Sequence, residues 1–188
     1  MNNGIFVISE LTGSVRDQVA TIQREFDPRM AGEMAPHITL VGSSGVGPMP
    51  LDTSAKLIKE VLDPVAAKTE PILVLFGRPI QFMQTNIVVL PLDPHGPLRT
   101  LHERIAASGL RFARARFRYA PHCTLSFYPT LTPEQKRRLL GFRIEEPFLI
   151  DHLQFVSTIN PQPGRKLLEI RLGTADDTLK GLESRPHT

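Results

Sequence analysis

The sequence predicts a mixed protein of strands and helices folded as two related halves, and three observations carry that reading. Strand-like and helix-like segments alternate along the 188 residues. The order strand, helix, strand, helix, strand occurs once from Gly4 and again from Asn86. Ala35-Pro36-His37-Ile38-Thr39-Leu40 returns 85 residues later as Ala120-Pro121-His122-Cys123-Thr124-Leu125, an internal repeat with one variable position.

Each element has a local reason. Gly4 to Leu11 reads as a strand, and Ser14 to Phe26 as a helix with Val15, Val19, Ile22 and Phe26 at helical spacing, ended by Asp27-Pro28. His37 to Val41 is a short strand closed by Gly42-Ser43-Ser44-Gly45. Asp52-Thr53-Ser54 caps a helix to about Ala67, with Leu57, Ile58, Val61 and Leu62 inward. Ile72 to Phe82 and Asn86 to Leu92 are apolar and β-branched, with a hairpin break at Met83-Gln84-Thr85. A helix over Pro97 to Ser108 stops at Gly109, Arg114 to Tyr119 is extended, and His122 to Tyr128 is a strand before the helix start Thr132-Pro133-Glu134. Phe148 to Thr158 and Leu167 to Leu172 are the last strands, joined through Asn160-Pro161-Gln162-Pro163-Gly164. Residues 1–173 are expected to form one domain, with lobes of roughly 1–82 and 86–172 whose termini are free to exchange, followed by a polar tail over 174–188.

Composition narrows the class. With 41% hydrophobic and 22% charged residues the chain is an ordinary globular protein, which excludes disorder, collagen and coiled coil. No apolar run approaches the ~20 residues that span a bilayer. No Lys or Arg precedes the short apolar stretch after Met1, so no secretory signal is read and the cytoplasm is the expected compartment. The single cysteine, Cys123, excludes an intramolecular disulfide and a multi-cysteine zinc site, and it alternates with the motif residues toward the core. Net charge is +3, yet Arg99 to Arg118 holds six arginines against one acid, Glu103, a basic patch suited to a phosphate-bearing ligand. The glycine-rich Gly42 to Gly47 lacks the ending of a nucleotide-binding loop and is read as a flexible rim loop.

The repeat carries the chemistry. Two copies of Pro-His-x-Thr-Leu would arise by chance about once in 10⁵ such sequences. Residues i and i+2 of a strand share a face, so His37 with Thr39, and His122 with Thr124, each present an imidazole beside a hydroxyl while Leu40 and Leu125 face the core. If the halves are related by a pseudo-twofold axis, both pairs line one groove around a small anion. That set suits phosphoryl transfer: one imidazole takes a proton from the attacking oxygen, the other protonates the leaving oxygen, and the hydroxyls hold the non-bridging oxygens. Arg116 and Arg118 share the parity of His122 and are candidate clamps, Tyr119 is a candidate stacking residue, and Ser126 keeps the cleft parity. Neither motif contains a carboxylate, so no metal and no cofactor is expected. His95, His102, His152 and His187 lack the frame and are read as surface or boundary residues.

On these motifs the chain resembles the two-histidine (2H) phosphoesterase superfamily, in particular its RNA 2′,3′-cyclic phosphodiesterase and 2′-5′ RNA ligase branch. The resemblance covers Gly4 to Leu172, including the Asp27-Pro28 turn. It implies a bilobal α+β fold, two pseudo-symmetric lobes with antiparallel-rich sheets flanked by helices, and a central cleft holding both motifs. It implies His37 and His122 as acid and base, Thr39 and Thr124 as phosphate ligands, and an RNA or nucleotide bearing a cyclic phosphate as partner, handled by a monomer. Several members of the ligase branch carry an arginine two positions after the second motif's leucine, where this chain has Phe127, and the stretch Arg114 to Arg118 is the candidate substitute. The rival expectation is a non-catalytic RNA-end or nucleotide-binding module using the same cleft.

Overall fold

The computed structural model describes residues 3–82, 85–159 and 164–173. The first half runs β1 (Gly4–Glu10), α1 (Gly13–Phe26), α2 (Pro28–Glu33), β2 (His37–Val41), α3 (Ala55–Ala67), β3 (Ile72–Val74) and β4 (Ile80–Gln81). The second runs β5 (Val88–Pro91), α4 (Pro97–Ala106), β6 (His122–Ser126), α5 (Pro133–Gly141), β7 (Phe148–Ile150), β8 (His152–Thr158) and β9 (Arg165–Arg171). All strand pairs among the described residues are antiparallel.

The pairing reveals how the halves interlock. One sheet has the order β2-β1-β8-β9, another β4-β5-β6, and β3 pairs with β7 alone. The strand after β3 joins the sheet of the second half, and the strand after β7 joins that of the first, so β4-β5-β6 and β8-β1-β2 are equivalent triplets. The third strands of the two halves pair directly, Leu73 opposite Leu149, where a pseudo-twofold axis would pass. Each motif strand, β2 and β6, is the edge of its sheet, and the two edges lie against each other. Buried apolar residues of both halves form one continuous core, from Ile5 and Val19 to Leu101 and Leu125.

Several expectations are corrected. Asp27-Pro28 ends α1 but also starts α2: the Asp27 side chain accepts the Met30 N–H at 3.0 Å, and Pro28 occupies the first turn, where its missing N–H costs nothing. Ile72 to Phe82 is not one strand, because Gly77 turns away to donate its N–H to Pro91 O at 2.8 Å and Pro79 has no N–H to give a ladder. Phe148 to Thr158 divides at Asp151, one part pairing with β3 and the other with β1. Arg114 to Tyr119 bends at 116–117 and contributes only a bridge between Arg114 and Val46. Met83, Gln84, residues 160–163, the tail 174–188 and His187 lie outside the described residues; Phe82 N–H donates to Ile87 O at 3.0 Å where the hairpin closes.

Candidate active site

The two motif strands repeat in geometry as well as in sequence. Each shows the same alternation, with histidine and threonine half-buried, the residue between them and the leucine buried. In the β1–β2 ladder Glu10 stands opposite His37 and Ile8 opposite Thr39, then a bulge falls between Val7 and Ile8. In the β5–β6 ladder Pro91 stands opposite His122 and Val89 opposite Thr124, with the bulge between Val88 and Val89. Entry to each strand is fixed alike: Leu11 N–H donates to Pro36 O and Leu92 N–H to Pro121 O, both at 2.9 Å.

The imidazoles are oriented by one device used twice. Nδ1 of His37 lies 2.8 Å from Ala35 O, and Nδ1 of His122 lies 2.7 Å from Ala120 O. A carbonyl only accepts, so both rings carry their proton on Nδ1 and leave Nε2 as the nitrogen able to accept one. Among the described residues neither Nε2 nor either threonine hydroxyl has a hydrogen-bond partner. The two sites are close: burial pushes the pKa of both histidines below the ordinary value, and His37 depresses His122 further by charge. Glu10 acts on His37 in the opposite sense. The Cys123 sulfur lies against the His37 backbone, which shows β2 and β6 meeting at the motifs, and burial pushes that thiol up to about 12, so it is no nucleophile. Phe82 packs edge-on against His122 with ring centres 5.0 Å apart, a neighbour of the motif that no signal in the sequence marks.

Each motif strand is braced from the other half. His102 of α4 is buried, donates Nδ1–H to Leu40 O at 2.7 Å and stacks on Tyr119 at 4.0 Å. Gln23 of α1 is buried and donates to Thr124 O at 2.7 Å. These are the polar members of otherwise apolar buried stripes, Val19, Ile22, Gln23, Phe26 in α1 and Leu98, Leu101, His102, Ile105 in α4. Aligning the two stripes residue for residue would have singled them out. His102 is therefore not a surface histidine; His152 is half-buried beside Asp151, with Nδ1 and Oδ1 2.6 Å apart.

The strand exits are pinned too. Asp27 Oδ2 accepts the N–H groups of Phe127 at 2.7 Å and Tyr128 at 2.8 Å after β6. After β2, Gly45 N–H donates to Phe117 O at 2.9 Å, Gly47 N–H to Ala113 O at 2.8 Å, and Ala113 N–H to Pro48 O at 3.0 Å. The Gly42 to Gly47 loop is thus tied down, contrary to the expectation of flexibility. Gly45 has φ +76°, and a Cβ there would lie 2.1 Å from His102 Nε2. Tyr119, expected to stack on a base, has its ring buried against His102, and Ser126 is wholly buried with no partner for its Oγ among the described residues. The bulge beside Val88 lets two consecutive β6 residues, Leu125 and Ser126, turn inward, which breaks the simple parity. Arg114, Arg116 and Arg118 are exposed without an ion pair among the described residues, and Phe117 is 65% exposed between them.

Residues 12–162 match the sequence profile of the 2′-5′ RNA ligase superfamily. The chain belongs to that superfamily. Solved structures similar to this 2′-5′ RNA ligase superfamily member include one described as a phosphoesterase, at 16% identity over 92% of this chain and 99% of that one, with a TM-score of 0.56. E. coli LigT complexed with NADP+ is 16% identical over 90% of this chain and 97% of its own, with a TM-score of 0.57. E. coli LigT complexed with 3′-AMP is 17% identical over 90% and 98%, with a TM-score of 0.56. These likenesses show the fold, the expected α+β arrangement of antiparallel sheets and flanking helices. No curated protein matches the chain. Among the described residues no helix is long and apolar enough to cross a membrane.

Proposed function

We propose that this superfamily member is a phosphodiesterase that opens 2′,3′-cyclic phosphate ends of RNA or nucleotides, with His37 and His122 exchanging protons with the reacting oxygens and Thr39 and Thr124 holding the phosphate. The observation that carries it is the matched pair of Nδ1–H contacts to Ala35 O and Ala120 O, which leaves two Nε2 atoms free on half-buried imidazoles of adjoining strands. One Nε2 accepts a proton from water as the water oxygen bonds to phosphorus. The other donates a proton to the ribose oxygen whose bond to phosphorus breaks. The hydroxyls donate to the non-bridging oxygens, where charge accumulates. Every proton transferred has a protein partner, and the mechanism as proposed invokes no metal.

Membership in the superfamily and the solution of related structures with 3′-AMP and ATP support a nucleotide or RNA end as the substrate class. Arg116 and Arg118 are exposed on the strap tied to Gly45 and leading into His122, which supports a role for them in meeting phosphates behind the reacting end. The experiment is turnover of 2′,3′-cyclic nucleotides and cyclic-phosphate-ended oligonucleotides in EDTA. His37→Ala and His122→Ala are each expected to lose ~10²–10⁴-fold in kcat while keeping most ligand affinity. Activity abolished by EDTA in the wild type would refute the metal-free mechanism; binding without turnover by folded wild type would make the protein a nucleotide-binding module.

A further inference from the structure

The two halves present identical motifs on identical ladders, so nothing in the motifs themselves decides which histidine gives the proton and which takes it. The ladder partners do differ. Counted from the bulge, Glu10 on β1 and Pro91 on β5 occupy equivalent positions, one directly opposite His37 and the other directly opposite His122. Residues directly opposite on an antiparallel pair share a face, with Cβ atoms about 4.5–5.5 Å apart. The first imidazole therefore has a carboxylate beside it and the second has a proline ring.

From this we infer that Glu10 sets the direction of proton traffic in the cleft, making His37 the donor to the leaving ribose oxygen and His122 the acceptor from water. The inference rests on the proposed function and goes beyond it. The charged and titratable neighbours agree. From β1 His37 meets Glu10, and from β6 it meets His122. From β9 Lys166 lies within electrostatic reach of Glu10, but its Nζ is 2.7 Å from Glu169 Oε2, so its charge is already engaged. β5, spanning Val88–Pro91, brings no charged group to His122. The end of β1 is held in place, since Glu10 N–H donates to Gln154 Oε1 at 3.3 Å and Gln154 Nε2 donates to Glu169 Oε2 at 3.1 Å.

A proton shared between the empty imidazoles thus resides on His37, where Glu10 offsets the charge, and once there it repels a second proton from His122. In the forward reaction His122 Nε2 takes the water proton as the new O–P bond forms. The old O–P bond breaks and His37 Nε2–H protonates the released ribose oxygen. His37 ends neutral with its Nδ1–H still on Ala35 O, His122 ends protonated, and the pair resets by exchange with solvent. Glu10 is a positioning residue that acts through His37.

The test joins a histidine NMR titration to pH–rate profiles of wild type, Glu10→Gln and Glu10→Asp. In wild type His37 is expected to titrate above His122, so the alkaline limb of kcat/KM reports the donor. Glu10→Gln is expected to move the His37 titration and the alkaline limb to lower pH together, by about half a unit or more, and Glu10→Asp to restore part of the shift. A p-nitrophenyl phosphodiester gives a second readout, because its leaving group needs no acid: His37→Ala should retain most activity on it, His122→Ala should not. Movement of the acidic limb instead would make His37 the base and overturn the assignment. A His37 titration unmoved by Glu10→Gln overturns the inference whether or not turnover exists, whereas a folded wild type without turnover defeats the proposed function itself.

Discussion

The two lobes share what orients the motif imidazoles and differ in what surrounds them. Register, bulge, entry hydrogen bond and Nδ1 contact are the same on β2 and β6. The ladder partner, the cross-lobe brace and the clamp on the strand exit are not: Glu10, His102 and a backbone-paired loop serve the first motif, while Pro91, Gln23 and the Asp27 carboxylate serve the second. The proposed mechanism needs equal geometry at both imidazoles, because each would place Nε2 on one phosphate, but gives them the unequal jobs of acid and base. The divergence sits where it changes environment without moving the rings.

The largest expected effect tests whether the lobes act as one site. If His37 and His122 work on the same phosphate, the double variant His37→Ala/His122→Ala loses no more activity than the worse single variant, ~10²–10⁴-fold in kcat. Multiplied losses, measured by single-turnover kinetics, would mean that the two histidines contribute independently, and single variants that each keep about half the activity would mean two separate sites. Next comes the asymmetry of the exit clamps. Asp27 is buried and accepts three backbone N–H groups, from Met30, Phe127 and Tyr128, so Asp27→Ala leaves them without partners and is expected to cost ~3 kcal/mol of stability by urea denaturation. The β2 exit depends on backbone pairing spread over Gly45, Gly47 and Ala113, so no one side chain there carries a comparable load.

Much of this was legible in the sequence because it is written in local periodicity. The repeated Pro-His-x-Thr-Leu located both motif strands, and the alternation within it gave the faces that the burial patterns show. What failed was long-range. The sequence leaves the lobe termini free to exchange, but that β4 and β8 are the strands exchanged cannot be read from segments that look equally strand-like, and the bend at 116–117 ends a parity drawn through Arg116 to His122. Tyr119, a candidate stacking residue, and His102, a surface or boundary one, look unrelated in the sequence because nothing local says that α4 stacks its histidine on a tyrosine 17 positions later. Ser126 was placed by counting, and counting does not survive a bulge on the partner strand. The cross-lobe braces were missed although the aligned helical stripes display them, since a polar residue in a buried stripe asks for a partner from outside its own helix.

The smallest expected effect makes the lobes more alike. His102→Gln gives the first motif the kind of donor that Gln23 gives the second, an amide in place of an imidazole facing a motif-strand carbonyl. Loss of the stack on Tyr119 should cost about 1 kcal/mol at pH 8. The pH dependence is the sharper readout. Burial lowers the folded-state pKa of His102 below its ordinary value of 6.5, so below that pH the unfolded chain binds more protons than the folded one, and stability falls as pH drops from there toward the folded-state pKa. His37 and His122 are lowered for the same reason and add to the slope. Urea denaturation from pH 8 down to 5 should therefore show a steep loss of stability in wild type and a shallower one in His102→Gln, the two curves converging as the pH falls. Parallel curves would mean that the imidazole of His102 is solvated and does not brace β2, leaving the second lobe alone with a buried polar strut.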